Sequence, residues 1–191
     1  MSFTAVTTLL AMLALVADAI VALTLLGLLA SRVVAASRHR WSRLRLAVAP
    51  IALPVAFVTA AIAMSGSLYL SEVAHLTPCR LCWYQRICMY PLVLLLGIAV
   101  SRRDLVTARR YLVPLAGIGA LVSAYHYQLE RLPHQPTLSC GIGEPSCSQA
   151  VLDVFGFVSV PFMALAAFLL IVTALLVARE AEVTWADADL R

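Results

Sequence analysis

The stretch Pro78-Cys79-Arg80-Leu81-Cys82-Trp83-Tyr84-Gln85-Arg86 places two thiols two residues apart. This is the spacing of a redox dithiol, which closes a small ring that opens and re-forms without moving the fold. The pair is expected where a loop becomes a helix, where exposed N–H groups and the helix dipole stabilise a thiolate. A thiolate is the species that attacks disulfides. Arg86 follows Cys82 by four residues and so falls on nearly the same helix face, one turn deeper. There it can stabilise a nearby thiolate or bind the oxygen of an electron acceptor; the alternative is an arginine snorkelling to the membrane surface. Gln85 can hydrogen-bond a carbonyl ligand or serve helix packing. Trp83 and Tyr84 fit an interfacial aromatic belt.

A second pair lies in Ser139-Cys140-Gly141-Ile142-Gly143-Glu144-Pro145-Ser146-Cys147-Ser148. Two glycines and a proline allow a tight turn, so a local disulfide between Cys140 and Cys147 is geometrically easy. It reads as either a structural staple or an exposed, readily reduced catalytic disulfide; a glycine-rich loop with little structure to hold favours the second. A zinc site joining Cys79 and Cys82 to this loop is the competing use of four cysteines, and the redox reading leaves the chain without a metal. The next residues, Ser148 to Phe155, can form a short interfacial helix capped by Ser148. Cys88 lies on a different helix face from Cys82 and reads as a buried packing residue. His126, among Tyr125, Tyr127 and Gln128, suits either a proton-coupled acceptor or a membrane interface. His75 and His134 read as polar loop residues, and Ala116, Ala120 and Ala124 as a helix-packing stripe.

These residues must be positioned by helices in a membrane. Of 191 residues, 62% are hydrophobic and 13% charged, with mean hydropathy +0.93. A soluble domain is about 25% charged and cannot hide so much apolar surface. Five spans of about 20 residues fit the apolar runs: about 8–30, 48–70, from Cys82 to about 100, 111–129 and 155–178. Pro50 and Pro54 are expected in the opening turns of the second span. The first run contains Ala17-Asp18-Ala19, which has the form of a signal cleavage site. It lacks a preceding basic region and continues well past that site, so it reads as a retained span. Residues 179–191 are expected to form a tail, and 1–191 a single membrane domain.

All 14 basic residues are arginines. Arg32, Arg38, Arg40, Arg43 and Arg45 are expected in the connection after the first span, and Arg102, Arg103, Arg109 and Arg110 after the third. The cysteine-bearing loops hold only Arg80 and Arg131. The positive-inside rule then puts the arginine-rich connections and the C-terminal tail in the cytoplasm, with the N-terminus and both cysteine pairs outside. Paired cysteines suit an oxidising compartment on that side. Membrane orientation accounts for the basic charge, so no nucleic-acid partner is expected.

Cys79-x-x-Cys82-x-Tyr84-Gln85-Arg86, two later loop cysteines, and Phe155-Gly156-Phe157 with Pro161-Phe162 resemble the disulfide-bond-formation protein B family, DsbB, in its BdbC-like branch. The resemblance covers about residues 48–178. It implies an all-α membrane four-helix bundle, with the first span as an extra N-terminal helix. It also implies a thiol:quinone oxidoreductase of the bacterial cytoplasmic membrane. That enzyme would reoxidise an extracytoplasmic DsbA-like thioredoxin-fold oxidant and pass electrons to ubiquinone or menaquinone. Cys79, Cys82, Cys140 and Cys147 would be catalytic, with Cys82 nearest the quinone and the loop pair meeting the oxidant. Arg86 would bind the quinone, with Gln85 and His126 as further candidates. Two departures stand out: the first span is additional, and the loop cysteines are unusually close. The competing readings are a vitamin-K-epoxide-reductase-like enzyme, whose loop cysteines precede its CxxC, and a metal-binding membrane protein.

Overall fold

The structure, a computed structural model, describes residues 2–33, 35–132 and 147–189, with the backbone alone for 35–38, 40 and 178–189. Its elements are α1 (Phe3–Val33), α2 (Ala35–Leu68), a π-helical turn (Tyr69–Val73), α3 (Arg80–Arg102), α4 (Leu105–Arg131), β1 (Asp153–Val154), β2 (Val158–Ser159) and α5 (Val160–Asp189). Among the described residues, five helices are long and apolar enough to cross a membrane. The chain is an all-α, multi-pass membrane bundle.

Helices α2, α3, α4 and α5 close a ring in which α2 meets α3, α3 meets α4, α4 meets α5 and α5 returns to α2; α1 lies outside, against α5 and α2. The ring is filled by Leu92, Leu96, Leu112, Phe168, Ile171 and Leu175, with alanines between them. Leucines such as Leu94 and Leu121 point outward. That outward apolar surface is what a bilayer solvates. With lipid outside, close packing and not water exclusion joins the helices, so small residues matter at the contacts.

The expected Ala116, Ala120, Ala124 stripe is corrected in detail. Ala116 and Ala120 are buried but Ala124 is exposed, and the contact face of α4 runs instead through Ala116, Gly119, Ala120 and Ser123. Gly119 admits the ring of Phe168: a Cβ there would stand 2.4 Å from Phe168 Cε1 and Cζ. Phe168 is wholly buried, so its ring has nowhere to retreat. Gly119→Ala should therefore destabilise the bundle by about 1–3 kcal/mol. Gly117→Ala should not, since nothing lies within 4 Å of its Cβ position. Thermal unfolding of both variants in one detergent checks this; equal midpoints would refute the contact.

Several boundaries differ from expectation. The arginine-rich connection after the first span is largely helical: α2 begins at Ala35, so Pro50 and Pro54 fall well inside it. Neighbouring helices can satisfy the carbonyls that such prolines free. Arg45 lies 5.2 Å over the Trp41 ring, which gives one of these arginines an apolar seat within the helix. The second basic connection shrinks to two residues. Arg103, in the left-handed region at φ 53°, caps α3, and the Asp104 carboxylate accepts from Thr107 N at 3.0 Å to start α4. Arg109 and Arg110 are helical.

Residues 148–155 form no helix. They run through turns into the β1–β2 hairpin, with Val154 opposite Val158. Phe155 and Gly156 both have positive φ, 59° and 78°, as a tight hairpin turn requires. The hairpin is tied to the end of α4: the Tyr127 hydroxyl donates to Phe157 O at 3.1 Å, and Arg131 Nη1 donates to Gly156 O at 3.2 Å. The fifth helix thus starts at Val160, later than expected, and its backbone continues through the residues read as a tail to Asp189.

Candidate functional site

Cys79 is the N-cap of α3, with extended backbone (φ −72°, ψ 172°) and a side chain that accepts from Cys82 N at 3.4 Å. Sulfur thus takes the capping role that an oxygen usually has. The Cys79 and Cys82 sulfurs are 3.0 Å apart, and both are free thiols. Cys79 is buried. His126, also buried, reaches from α4 to place Nε2 3.6 Å from Cys79 Sγ. Its other nitrogen, Nδ1, lies 3.1 Å from Gln85 Nε2. A Gln amide nitrogen only donates, so Nδ1 accepts and the neutral ring carries its proton on Nε2, facing the sulfur. Sequence reasoning assigns Gln85 and His126 to an acceptor. The structure pairs them with each other, and His126 faces Cys79.

The hydrogen bond from the Cys82 thiol is the main reason the Cys79 thiol is pushed down to about 4; burial opposes this, while His126 and Cys82 N–H add to it. Because this value lies below the ordinary 9.0, ionisation of the reduced pair adds stability that is full above about pH 9 and is lost as the pH falls through about 4. His126→Ala removes one donor to the anion, a bond of about 1.5–3 kcal/mol, and should raise the Cys79 value by roughly one to two pH units. Thiolate absorbance of the reduced protein against pH measures it. An unmoved titration would make the His126 contact incidental.

Arg86 is held by α2: its Nε donates to Ser67 Oγ and its Nη2 to Ser67 O, both at 2.9 Å. The guanidinium also lies 5.3 Å over the Trp83 ring. Cys82, Gln85, Arg86 and His126 share a cavity of about 290 Å³ whose remaining wall is largely apolar and comes mostly from α1, α2 and α5. Two further residues escaped sequence reasoning. Ser67 is a small polar residue in an apolar run, and nothing in the sequence pairs it with an arginine nineteen positions on. Glu130 lines the cavity with Oε2 buried; its position four residues after His126 on one helix was the available signal.

Cys147 is engaged in a disulfide and almost completely buried, at 1% exposure. It belongs to one apolar cluster with Cys79, Leu81 and Leu129. The folded chain therefore brings the second cysteine loop to the first, and the expectation of an exposed disulfide is corrected at this sulfur. Cys140 and His134 lie outside the described residues. His75 is in the loop before Cys79, at φ 54°. Cys88 is buried in the bundle core. The ligand atoms of Cys79, Cys82 and His126 all lie within 4.8 Å of one another, as metal ligands can. Sequence reasoning considers zinc only between the two cysteine loops, whereas this grouping uses a histidine from α4.

Fold and site together define a membrane-embedded dithiol protein: a pair of free thiols at a helix start, facing a cavity inside the bundle. The sequence profile of the family described as disulfide bond formation protein DsbB matches residues 49–178. Disulfide bond formation protein C of Bacillus subtilis is 46% identical over 120 residues, covering 63% of this chain and 86% of that protein. A probable disulfide formation protein of Coxiella burnetii is 46% identical over 116 residues, covering 60% and 78%. A probable disulfide formation protein C of Halalkalibacterium halodurans is 44% identical over 125 residues, covering 65% and 90%. No solved structure matches significantly. The chain belongs to the DsbB family, in its BdbC-like part, and is a membrane protein-disulfide oxidoreductase.

Proposed function

We propose that the protein reoxidises an extracytoplasmic thioredoxin-fold oxidant of the DsbA kind and uses a membrane quinone as electron acceptor. The observation that carries this reading is the Cys79–Cys82 dithiol beside a largely apolar cavity with Arg86, Gln85 and His126 at its polar end. The cavity's size is near the lower end of the range for small-molecule sites, about 300–1,000 Å³. A flat ring with polar oxygens and an apolar tail fits this division of the wall. A bound quinone would take two electrons and two protons from the dithiol, leaving a Cys79–Cys82 disulfide and a quinol.

The chain's own residues carry the remaining steps. The partner's thiolate attacks a Cys140–Cys147 disulfide at Cys140, and the Cys147 thiolate is released. Cys147, packed in the Cys79 cluster, attacks Cys79 and displaces the thiolate of Cys82. The partner's second thiol then frees Cys140 and leaves with its own disulfide formed. Cys140 attacks Cys147, restoring the loop disulfide and leaving Cys79 and Cys82 reduced. His126, held by Gln85, faces the Cys79 anion, and Ser67 fixes Arg86 at the cavity. The cysteine loops face the extracytoplasmic side of a bacterial cytoplasmic membrane, with the N-terminus on that side, and the arginine-rich connections face the cytoplasm.

The test is loss of quinone absorbance driven by a reduced thioredoxin-fold dithiol protein, with one quinone consumed per dithiol oxidised. Dithiol oxidation without quinone loss would overturn the acceptor. Arg86→Ala should raise the quinone KM about tenfold or more, the effect of losing a charged hydrogen bond to an acceptor oxygen. An unchanged KM would leave Arg86 as a packing residue on Ser67.

A further inference from the structure

Helix α1 lies outside the stretch matched by the family profile, which begins at residue 49, so the comparisons assign it no role. Its buried residues, Thr7, Ala11, Ala14, Ala17 and Val21, are spaced three and four apart and form one face. Ala14, Ala17 and Val21 pack against Ala166 and Leu170 of α5. This side of α1 does more than coat the bundle: Leu10, Leu13, Ala14 and Ala17 line the same cavity as Cys82 and Arg86. This part of α1 also sits tightly on α2, where a Cβ on Gly66 would meet Leu10 Cδ1 at 3.0 Å. The next residue, Ser67, accepts both hydrogen bonds from Arg86. Leu10 is thus seated one residue from the anchor of the guanidinium.

We propose that α1 is a wall of the acceptor cavity and that Leu10, Leu13 and Ala14 select which quinone rings reach the thiols. The inference rests on the quinone reading above. An apolar acceptor arrives sideways from the lipid, between helices. A helix laid across α2 and α5 converts an open groove beside Cys82 and Arg86 into a bounded pocket. Alanine at 14 and 17 leaves the volume open, while the leucines at 10 and 13 bound it.

The experiment uses the full chain in lipid nanodiscs, with a short-tailed benzoquinone and a short-tailed naphthoquinone as acceptors. Ala14→Leu adds carbons to an enclosed wall and should raise KM for both quinones about tenfold or more. Leu13→Ala should shift the kcat/KM ratio about tenfold toward the larger naphthoquinone ring. Thiol–disulfide exchange with the partner in the absence of quinone should stay unchanged in both variants, which separates a blocked cavity from a damaged fold. A photoreactive benzoquinone should label residues 3–33 of the unaltered protein. Should Ala14→Leu fail to fold, Leu13→Ala and the labelling decide. Unchanged KM and ratio with no label in α1 would overturn the role of this helix alone. A wild-type protein that reduces neither quinone would overturn the acceptor reading and this inference together.

Discussion

Cys82→Ala should lower dithiol-driven quinone reduction roughly a thousandfold or more, to background, because residues acting as one nucleophilic unit fail together. Cys82 is within hydrogen-bond reach of Cys79, sulfur to sulfur at 3.0 Å, and it alone of the two follows Cys79 into the helix that carries Gln85 and Arg86. Without it, Cys79 has no partner with which to form a disulfide, so two electrons cannot leave the pair together. The principal hydrogen bond holding the Cys79 anion also disappears. Cys79→Ala should fail equally, since it removes both the sulfur that Cys147 would attack in the proposed relay and the N-cap of α3. Cys88→Ala is the internal control. Cys88 lies in the bundle core, and its loss should cost some stability but leave turnover within about twofold, as for a side chain that packs without reacting. Turnover is read from quinone absorbance with a reduced thioredoxin-fold partner. Residual turnover by Cys82→Ala would show that electrons reach the acceptor by another route.

The parts of this molecule legible in its sequence are those written in composition and short spacing. The apolar runs have to be spans because nothing else solvates them, and Cys79, Cys82, Gln85 and Arg86 lie close enough in sequence for helix geometry to relate them. What was not legible depends on which helices meet. Ser67 and Arg86 are brought together by packing of α2 against α3, and no local pattern encodes that. His126 reaches Cys79 only because α4 packs beside α3, so its reading as a ligand group could not foresee its hydrogen bond to Gln85. The helix through the first arginine-rich connection is hidden because a run of charge reads as loop. Arginine is a good helix former, and a long side chain such as Arg45 can lie over an aromatic ring while the backbone stays helical. The hairpin at Asp153–Ser159 is hidden by its apolar residues, which look like the start of the last span. Its turn is betrayed only by Gly156, and its anchoring by Tyr127 and Arg131 is again tertiary.

Cys147→Ala should also stop turnover, by roughly the same thousandfold or more, and should reveal the entry point of the partner. Cys147 is 1% exposed and Cys79 is 6% exposed, so neither sulfur is open to a folded partner's thiolate. Attack at Cys140 would release Cys147, which already shares an apolar cluster with Cys79. In Cys147→Ala no loop disulfide exists to be attacked, and no loop thiol stands next to Cys79. Its remaining Cys140 thiolate should open the disulfide of an oxidised partner, and acid quenching should capture a mixed disulfide through Cys140. In the unaltered protein, a partner retaining only its attacking thiol should become attached at Cys140, with Cys147 joined to Cys79. Peptide mapping under non-reducing conditions distinguishes the possibilities. Attachment of that single-thiol partner at Cys147 would reverse the two loop cysteines. Undiminished turnover by Cys147→Ala would mean that the partner attacks the Cys79–Cys82 disulfide directly and that the loop is a staple. The difference is chemical as well as spatial: in the two-loop route Cys79 becomes joined to Cys147, so Cys82 is left as a thiolate facing the cavity before any electron leaves the protein.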